Sequence, residues 1–207
     1  MSYFPFFIEI GQKPCLVVGG GVVALRKIEK LLPFGAEITV VSPAFCPEIA
    51  GMSGIRRVQR VFHPKDIEGM CFVIGATDQE EVNQEISDLC KAGNIPVNIV
   101  DEREKCSFFF PALVKKGEFV AGFTSGGGSP LAAQYIRKQV EDAIPEGFDA
   151  VVEVLSAVRE EVKGAFPQQK QRERVFQQIF ALALAQAGRV SQEEIQEILR
   201  KEREQDG

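Results

Sequence analysis

The chain has 207 residues, of which 45% are hydrophobic and 26% charged, with a formal net charge of −5 and a single histidine. That length can bury a sizeable core in one medium domain or two small ones without disulfide staples. The acidic balance argues against non-specific nucleic-acid binding, and no apolar run reaches the ~18–20 residues that cross a bilayer. Five scattered cysteines (Cys15, Cys46, Cys71, Cys90 and Cys106) form no C-x-x-C pair, and His63 is the only histidine that could join them. No metal site is expected, and such thiols fit a reducing, cytoplasmic setting.

In chain order, MSYFPFFIEIG lacks the basic start and small-residue cleavage site of a signal peptide and reads as a first strand or strand-like arm. Short β-branched apolar runs follow at 14–20, 38–42, 71–77 and 96–100, with another strand expected at 56–62. Helix-compatible stretches at 22–33 and 80–92 separate the first and last pairs. This alternation predicts βαβ units in a parallel sheet covered on both faces. Beyond residue 105 the rhythm changes. SFFFPALVKK and GEFVAGFTS read as two strands joined by a Lys-Lys-Gly turn, and TSGGGSP leads into a helix at about 129–144. Phe108 and Phe110 on one side of the first strand and Phe109 on the other are too apolar for a lone exposed hairpin, which predicts pairing across a twofold axis in a homodimer. From Phe148 onward the pattern is helical, with breaks at Pro167 and Gly188, a capping box at Ser191 and Glu194, and a charged tail, KEREQDG, expected to fray.

The segment VVGGGVVALRK carries Gly19, Gly21 and Ala24 in the spacing G-x-G-x-x-A, directly after a strand and directly before a helix that begins at Val22 and Val23. The first glycine permits the tight turn, the second admits a pyrophosphate against backbone, and the small third residue lets helix pack on strand. The helix start supplies free N–H groups and the positive end of its dipole. A dinucleotide site is predicted here. The second strand ends in Ser42, Pro43 and Ala44, without the acidic ribose ligand of many such sites and without an arginine to favour a 2′-phosphate, so NAD is the expected cofactor. Arg26 and Lys27 are either phosphate ligands or part of the solvated helix face. The expected class is α/β: a Rossmann-like parallel-sheet domain at 1–105, a β/α dimerisation segment at 106–147 and a small helical domain at 148–207.

Thr77 and Asp78 should sit at the carboxyl edge of the sheet, where ligands bind in such folds, with Asn83 just inside the next helix. They either touch the ligand or cap that helix. Asp101 ends another strand on the same edge, as a proton acceptor in redox chemistry or as a turn residue. Segment 102–140 holds six cations (Arg103, Lys105, Lys115, Lys116, Arg137, Lys138) against three carboxylates, which suggests an anionic substrate or a solvated face. Ser125, Gly126 and Ser129 precede a helix start in a geometry that could accept a carboxylate.

Four motifs in order, FFIEIGQKPCLVVGGGVVALRK, GATDQEEVN, VNIVDEREKCSFFFPALVKKG and TSGGGSPLAAQYIRK, resemble the precorrin-2 dehydrogenase (sirohydrochlorin-forming) module of siroheme synthesis, whose bifunctional members are also ferrochelatases. The helical C-terminal part is similar in pattern only. The resemblance implies NAD-dependent oxidation of precorrin-2 to sirohydrochlorin, Asp101 as acid/base, a homodimer built by the middle segment, and a helical domain that helps enclose the tetrapyrrole. Its substrate contacts would include Ser125, Gly126, Ser129 and Arg137, and Fe²⁺ would be a second substrate if the chain also chelates. The length leaves no room for the methyltransferase domain fused in some relatives, so a separate enzyme is expected to supply precorrin-2. A nucleotide-sensing regulatory domain that reports NAD(H) without turnover is the alternative. No membrane or nucleic-acid partner is expected.

Overall fold

The computed structural model describes residues 4–205, which divide into two compact units, one spanning Phe4–Phe110 and the other beginning at Pro111. In the first unit, five parallel strands stand in the order β3-β2-β1-β4-β5: β1 (Pro14–Val18), β2 (Glu37–Ser42), β3 (Ile55–Gln59), β4 (Phe72–Gly75) and β5 (Val97–Ile99). Helix α1 (Val22–Leu31) connects β1 to β2, the short α2 (Pro47–Gly51) precedes β3, and α3 (Glu80–Ala92) connects β4 to β5.

Period-two alternation decides the two cores. Cys15 and Val17 of β1 face one layer with Ala24, Ile28 and Leu31 of α1 and Ile49 of α2. Leu16 and Val18 face the other with Ile86 and Cys90 of α3 and Val97 and Ile99 of β5. Both faces of β1 are therefore buried, as the unbroken run CLVV requires. Burial pushes the Cys15 thiol up to about 12, with Cys71 adding to the effect.

The second unit opens with an antiparallel hairpin, β6 (Ala112–Lys116) and β7 (Phe119–Phe123), paired from Ala112↔Phe123 to Lys116↔Phe119. Helix α4 (Pro130–Ala143) packs on this hairpin, and α5 (Phe148–Ala157), α6 (Arg159–Ala165), α7 (Gln169–Ala185) and α8 (Gln192–Gln205) follow. Val158, Val162, Phe166, Val175, Ile179, Ile195 and Leu199 form their core. Glu202 is 1% exposed and accepts a 2.7 Å hydrogen bond from Arg174 Nε, a pairing that such a buried carboxylate needs. The capping box of Ser191 and Glu194 is formed, with each backbone N–H donating to the other residue's side chain at 2.9 and 3.2 Å.

Several sequence expectations are corrected. Residues 4–10 form no strand, and Phe4, Phe6 and Phe7 are exposed. The first hairpin strand starts at Ala112, because Phe108 and Phe110 instead pack on the α1-side core, Phe108 meeting Phe72 with ring centroids 5.6 Å apart. Both lysines of the expected turn lie in or at the end of β6, and the turn falls on Gly117, whose φ of 54° is left-handed, and Glu118. The helical run from Phe148 breaks once more at Val158. The tail is helical through Gln205, with Arg203 placed over the Phe166 ring, and only its last two residues lie outside the described range. Among the described residues, no helix is long and apolar enough to cross a membrane.

Candidate functional site

Because all five strands of the first unit run in parallel, their carboxyl ends share one edge. The strand order reverses between β1 and β4, the place where open α/β sheets open a crevice for ligands. Gly19–Gly21 leave β1 there, Ser42–Ala44 leave β2, Ala76–Asp78 leave β4 and Asp101 closes β5.

The three glycines serve different ends. At Gly19, φ is +124° and a Cβ would lie 2.2 Å from Ala76 O, so the exits of β1 and β4 touch backbone to backbone. At Gly20 a Cβ would lie 1.9 Å from Ala44 O and 2.8 Å from Ser42 Oγ, and the loop is tied down by Cys46 N–H donating to Gly20 O at 2.7 Å. At Gly21 a Cβ would meet nothing within 4 Å. Gly21 is the N-cap of α1, and helical geometry leaves the N–H groups of Val22, Val23 and Ala24 without intrahelical acceptors. The open side of Gly21, these donors and the dipole end form a cradle that fits a pyrophosphate. Ala24 is fully buried against the sheet, while Val22 and Val23 are exposed at the same edge. Gly20→Ala should cost the fold about 2–4 kcal/mol, since the clash is with backbone; an unchanged urea midpoint would contradict that packing.

The β4 exit is held by its own side chains. Thr77 Oγ1 donates to Asn83 Oδ1 at 2.9 Å, Asn83 Nδ2 donates to Thr77 O at 3.1 Å, and Gln79 N–H donates to Thr77 Oγ1 at 3.2 Å. The N-cap of α3 is Gln79, so neither Thr77 nor Asp78 is the cap, and Asn83 is buried with its amide bonded to Thr77. Asp78 is exposed at the edge.

At the exit of β2, the register Ser42↔Gln59 sets an amide beside the end of the strand, and Gln59 Nε2 donates to Pro43 O at 3.3 Å. Two nearby guanidinium groups are engaged elsewhere: Arg57 donates to Ile49 O and Met52 O, and Arg60 forms a two-pronged pair with Asp66 at 2.7 and 2.6 Å. Gln59 belongs to no motif, and only strand register brings it next to Ser42.

Asp101 is exposed and sits at φ 62°, a left-handed conformation that aspartate tolerates better than most residues. Its turn is clasped by Cys106: Ile99 N–H donates to Sγ at 3.2 Å, and the thiol lies 3.1 Å from Ile99 O and 3.3 Å from Glu102 O. Burial pushes that thiol's pKa up, opposed by the Ile99 hydrogen bond and by Lys27 and Lys91. Lys27 is not on a fully solvated helix face. It is half-buried, with Nζ 4.5 Å from the centroid of Phe110. Burial lowers its pKa, helped by Lys30 and opposed by Cys106 and Asp101.

Ser125, Gly126 and Ser129 lie at the start of α4 in the second unit, whereas Arg137 sits two turns along that helix. Ser129 N–H donates to Ser125 Oγ at 2.8 Å, Ser125 Oγ donates to Ser129 O at 2.9 Å, and Ser129 Oγ caps Ala132 N–H at 3.2 Å. Arg137 pairs with Glu141 and donates to Gln134 at 3.2 Å, Lys138 pairs with Asp142, and Lys105 pairs with Glu102. Three of the six cations of this segment are thus matched by carboxylates close in sequence, which reduces the lobe of positive charge expected there.

Comparison with known proteins adds identity to this geometry. The chain is 37% identical over 182 residues to the siroheme synthase of Thioalkalivibrio sulfidiphilus, covering 86% of this chain and 37% of that protein. It is 36% identical over 197 residues to the siroheme synthase of Methylobacillus flagellatus, covering 94% and 42%, and 34% identical over 214 residues to that of Nitrosomonas europaea, covering 99% and 45%. The chain therefore spans less than half the length of these curated relatives. Among solved structures, "SirC, precorrin-2 dehydrogenase" shares its fold with a TM-score of 0.68 at 21% identity, over 98% of this chain and 100% of that one. Residues 6–112, the segment that builds the sheet and its carboxyl edge, match the family described as "Putative NAD(P)-binding". With more than half of its length inside that match and an open glycine cradle at the sheet's crevice, the chain belongs to the putative NAD(P)-binding family.

Proposed function

We propose that this chain oxidises precorrin-2 to sirohydrochlorin with NAD⁺ as a cytoplasmic enzyme of siroheme synthesis. The observation that carries the reading is the shared edge: the open Gly21 cradle and the Asp101 turn both lie at the carboxyl ends of one parallel sheet. The names of the relatives and of the fold neighbour support the choice of substrate. Gly19, Gly21, Val22, Val23 and Ala24 would receive the pyrophosphate, Ser42, Pro43 and Ala44 the adenosine side, and Thr77 and Asp78 the crevice wall, with Asn83 holding Thr77 in place. The engagement of Arg57 and Arg60 elsewhere, with Gln59 beside Ser42, favours NAD over NADP. When bound, NAD⁺ supplies the two-electron acceptor for the hydride. What the chain must add is orientation of the macrocycle and a base for the proton released with it. Asp101, exposed at the edge and fixed in its turn by Cys106, is that base. Ser125, Gly126, Ser129 and Arg137 would meet the substrate's peripheral carboxylates, Arg137 exchanging Glu141 for a substrate group. Supplied with Fe²⁺ as substrate, the same base would take pyrrole protons if the chain also metallates sirohydrochlorin. Incubation of the purified chain with precorrin-2 and NAD⁺ should yield NADH and sirohydrochlorin. NAD⁺ binding with neither product would leave the sensing role in its place.

The active form is a homodimer. On α4, Leu131 is 82% and Tyr135 64% exposed, with Ile136 beside them, an apolar face that its own unit leaves uncovered. Sedimentation at micromolar concentration should give a dimer and the variant L131D/Y135D a monomer. A monomeric wild type would reject this assembly.

A further inference from the structure

Strand β2 ends in Ser42 and carries no carboxylate where one commonly takes the ribose hydroxyls of a dinucleotide. Two neutral polar side chains stand there instead. Alternation along β2 places Ser42 on the same face as Val40, which lies in the α1-side core. Alternation along β3 places Gln59 on the same face as Arg57, whose guanidinium donates to the carbonyl of Ile49 in that core. Since Ser42 and Gln59 are register partners, their side chains are neighbours on the face of the sheet that α1 covers. On its other side the β2 exit abuts the glycine turn: a Cβ on Gly20 would lie 2.8 Å from Ser42 Oγ and 1.9 Å from Ala44 O. The Gly21 cradle, Ser42 and Gln59 thus follow one another along the carboxyl edge, across β1, β2 and β3. Ser42 is 7% exposed, and its hydroxyl makes no hydrogen bond among the described residues, a condition rare for a buried polar group. Gln59 is exposed, and its amide has a fixed sense. Pro43 O can only accept, so the 3.3 Å contact belongs to Nε2 and leaves Oε1 as an acceptor toward the edge.

We propose that Gln59, beside Ser42, is the residue that recognises the adenosine ribose of the dinucleotide, its Oε1 accepting from the 2′-hydroxyl. The inference rests on the reading of the glycine turn as the pyrophosphate site. A 2′-hydroxyl is a donor and satisfies Oε1, whereas a 2′-phosphate offers acceptor oxygens to a carbonyl that cannot bond them. With Nε2 held by Pro43 O, the amide cannot turn to offer its nitrogen without losing that bond. Gln59 therefore takes over the selection against a 2′-phosphate that a carboxylate makes in other dinucleotide sites, without adding a charge to the edge.

The test is a binding cycle by titration calorimetry on the whole chain, with NAD⁺, NADP⁺ and an NAD⁺ lacking the adenosine 2′-hydroxyl as ligands, and thermal unfolding of each variant as the control for folding. The wild type should bind the 2′-deoxy ligand roughly tenfold more weakly than NAD⁺, the scale of one hydrogen bond. Gln59→Leu, at an exposed position of an edge strand, should keep the wild-type Tm, bind NAD⁺ roughly tenfold more weakly and no longer distinguish the two ligands. Gln59→Glu keeps an acceptor and should retain NAD⁺ while binding NADP⁺ more weakly than the wild type does. A wild type that binds NAD⁺ and its 2′-deoxy form equally overturns the proposal. So does a folded Gln59→Leu protein with wild-type NAD⁺ affinity or with the wild type's discrimination between the two, and so does a Gln59→Glu protein as impaired toward NAD⁺ as Gln59→Leu. Gly21→Val separates this from the underlying reading. If that variant binds NAD⁺ as the wild type does, the site at the glycine turn fails first and the proposal with it; if it loses NAD⁺ while Gln59→Leu does not, only the proposal falls.

Discussion

Gly21→Val should abolish measurable NAD⁺ binding, a loss of at least about 100-fold, because a branched side chain would fill the space a pyrophosphate needs against the helix N-terminus. The fold should survive. The backbone at Gly21 is extended (φ −90°, ψ −175°), which any residue adopts, and nothing lies within 4 Å of the new Cβ. The expected stability change is no more than about 1 kcal/mol, the usual scale for exchanging an N-cap. Gly20 offers the opposite case, since its added Cβ strikes the Ala44 carbonyl. Titration calorimetry with circular dichroism separates the two effects. A folded Gly21→Val protein that binds NAD⁺ as before would move the dinucleotide away from this turn.

The second large effect concerns Asp101. Asn is the informative replacement, since it tolerates the left-handed φ of 62° and keeps the size of the side chain while losing the ability to accept a proton. Loss of a general base commonly costs about 10²–10⁴ in rate. Asp101→Asn should therefore bind NAD⁺ normally and oxidise precorrin-2 about 10²–10⁴-fold more slowly, and any metallation of sirohydrochlorin should fall with it if one base serves both reactions. A near-wild-type rate in this variant would make Asp101 a turn residue and nothing more.

The parts of this site that the sequence made legible are those in which local pattern and tertiary placement coincide. CLVV followed by three glycines and an apolar helix start can form only a buried strand, a tight turn and a helix against the sheet, and Gly19, Gly21 and Ala24 occupy those places. What stayed hidden depended on partners distant in the chain. Phe108 and Phe110 alternate as an interface strand would, but their side chains complete the α1-side core. The residues 102–140 look basic because that window ends just before Glu141 and Asp142, which pair with Arg137 and Lys138 one helical turn back. Lys27 reads as a surface cation until Phe110, 83 positions later in the chain, is brought beneath it. Gln59 gains meaning only from the pairing of β2 with β3. The tail KEREQ carries no apolar repeat of its own, yet buried Glu202 and the stacking of Arg203 on Phe166 tie it to the helical core.

The central claim is that a nicotinamide dinucleotide binds at the carboxyl edge of the sheet, across the exits of β1, β2 and β4. Amide chemical-shift mapping of the isotope-labelled chain during NAD⁺ titration tests it most directly. Saturable shifts are expected at Gly19–Ala24, Ser42, Ala44, Thr77 and Asp78, with Pro43 silent for want of an amide proton, and little change along α7 and α8. Saturable shifts confined to the helical unit, with the glycine turn unmoved, would contradict it.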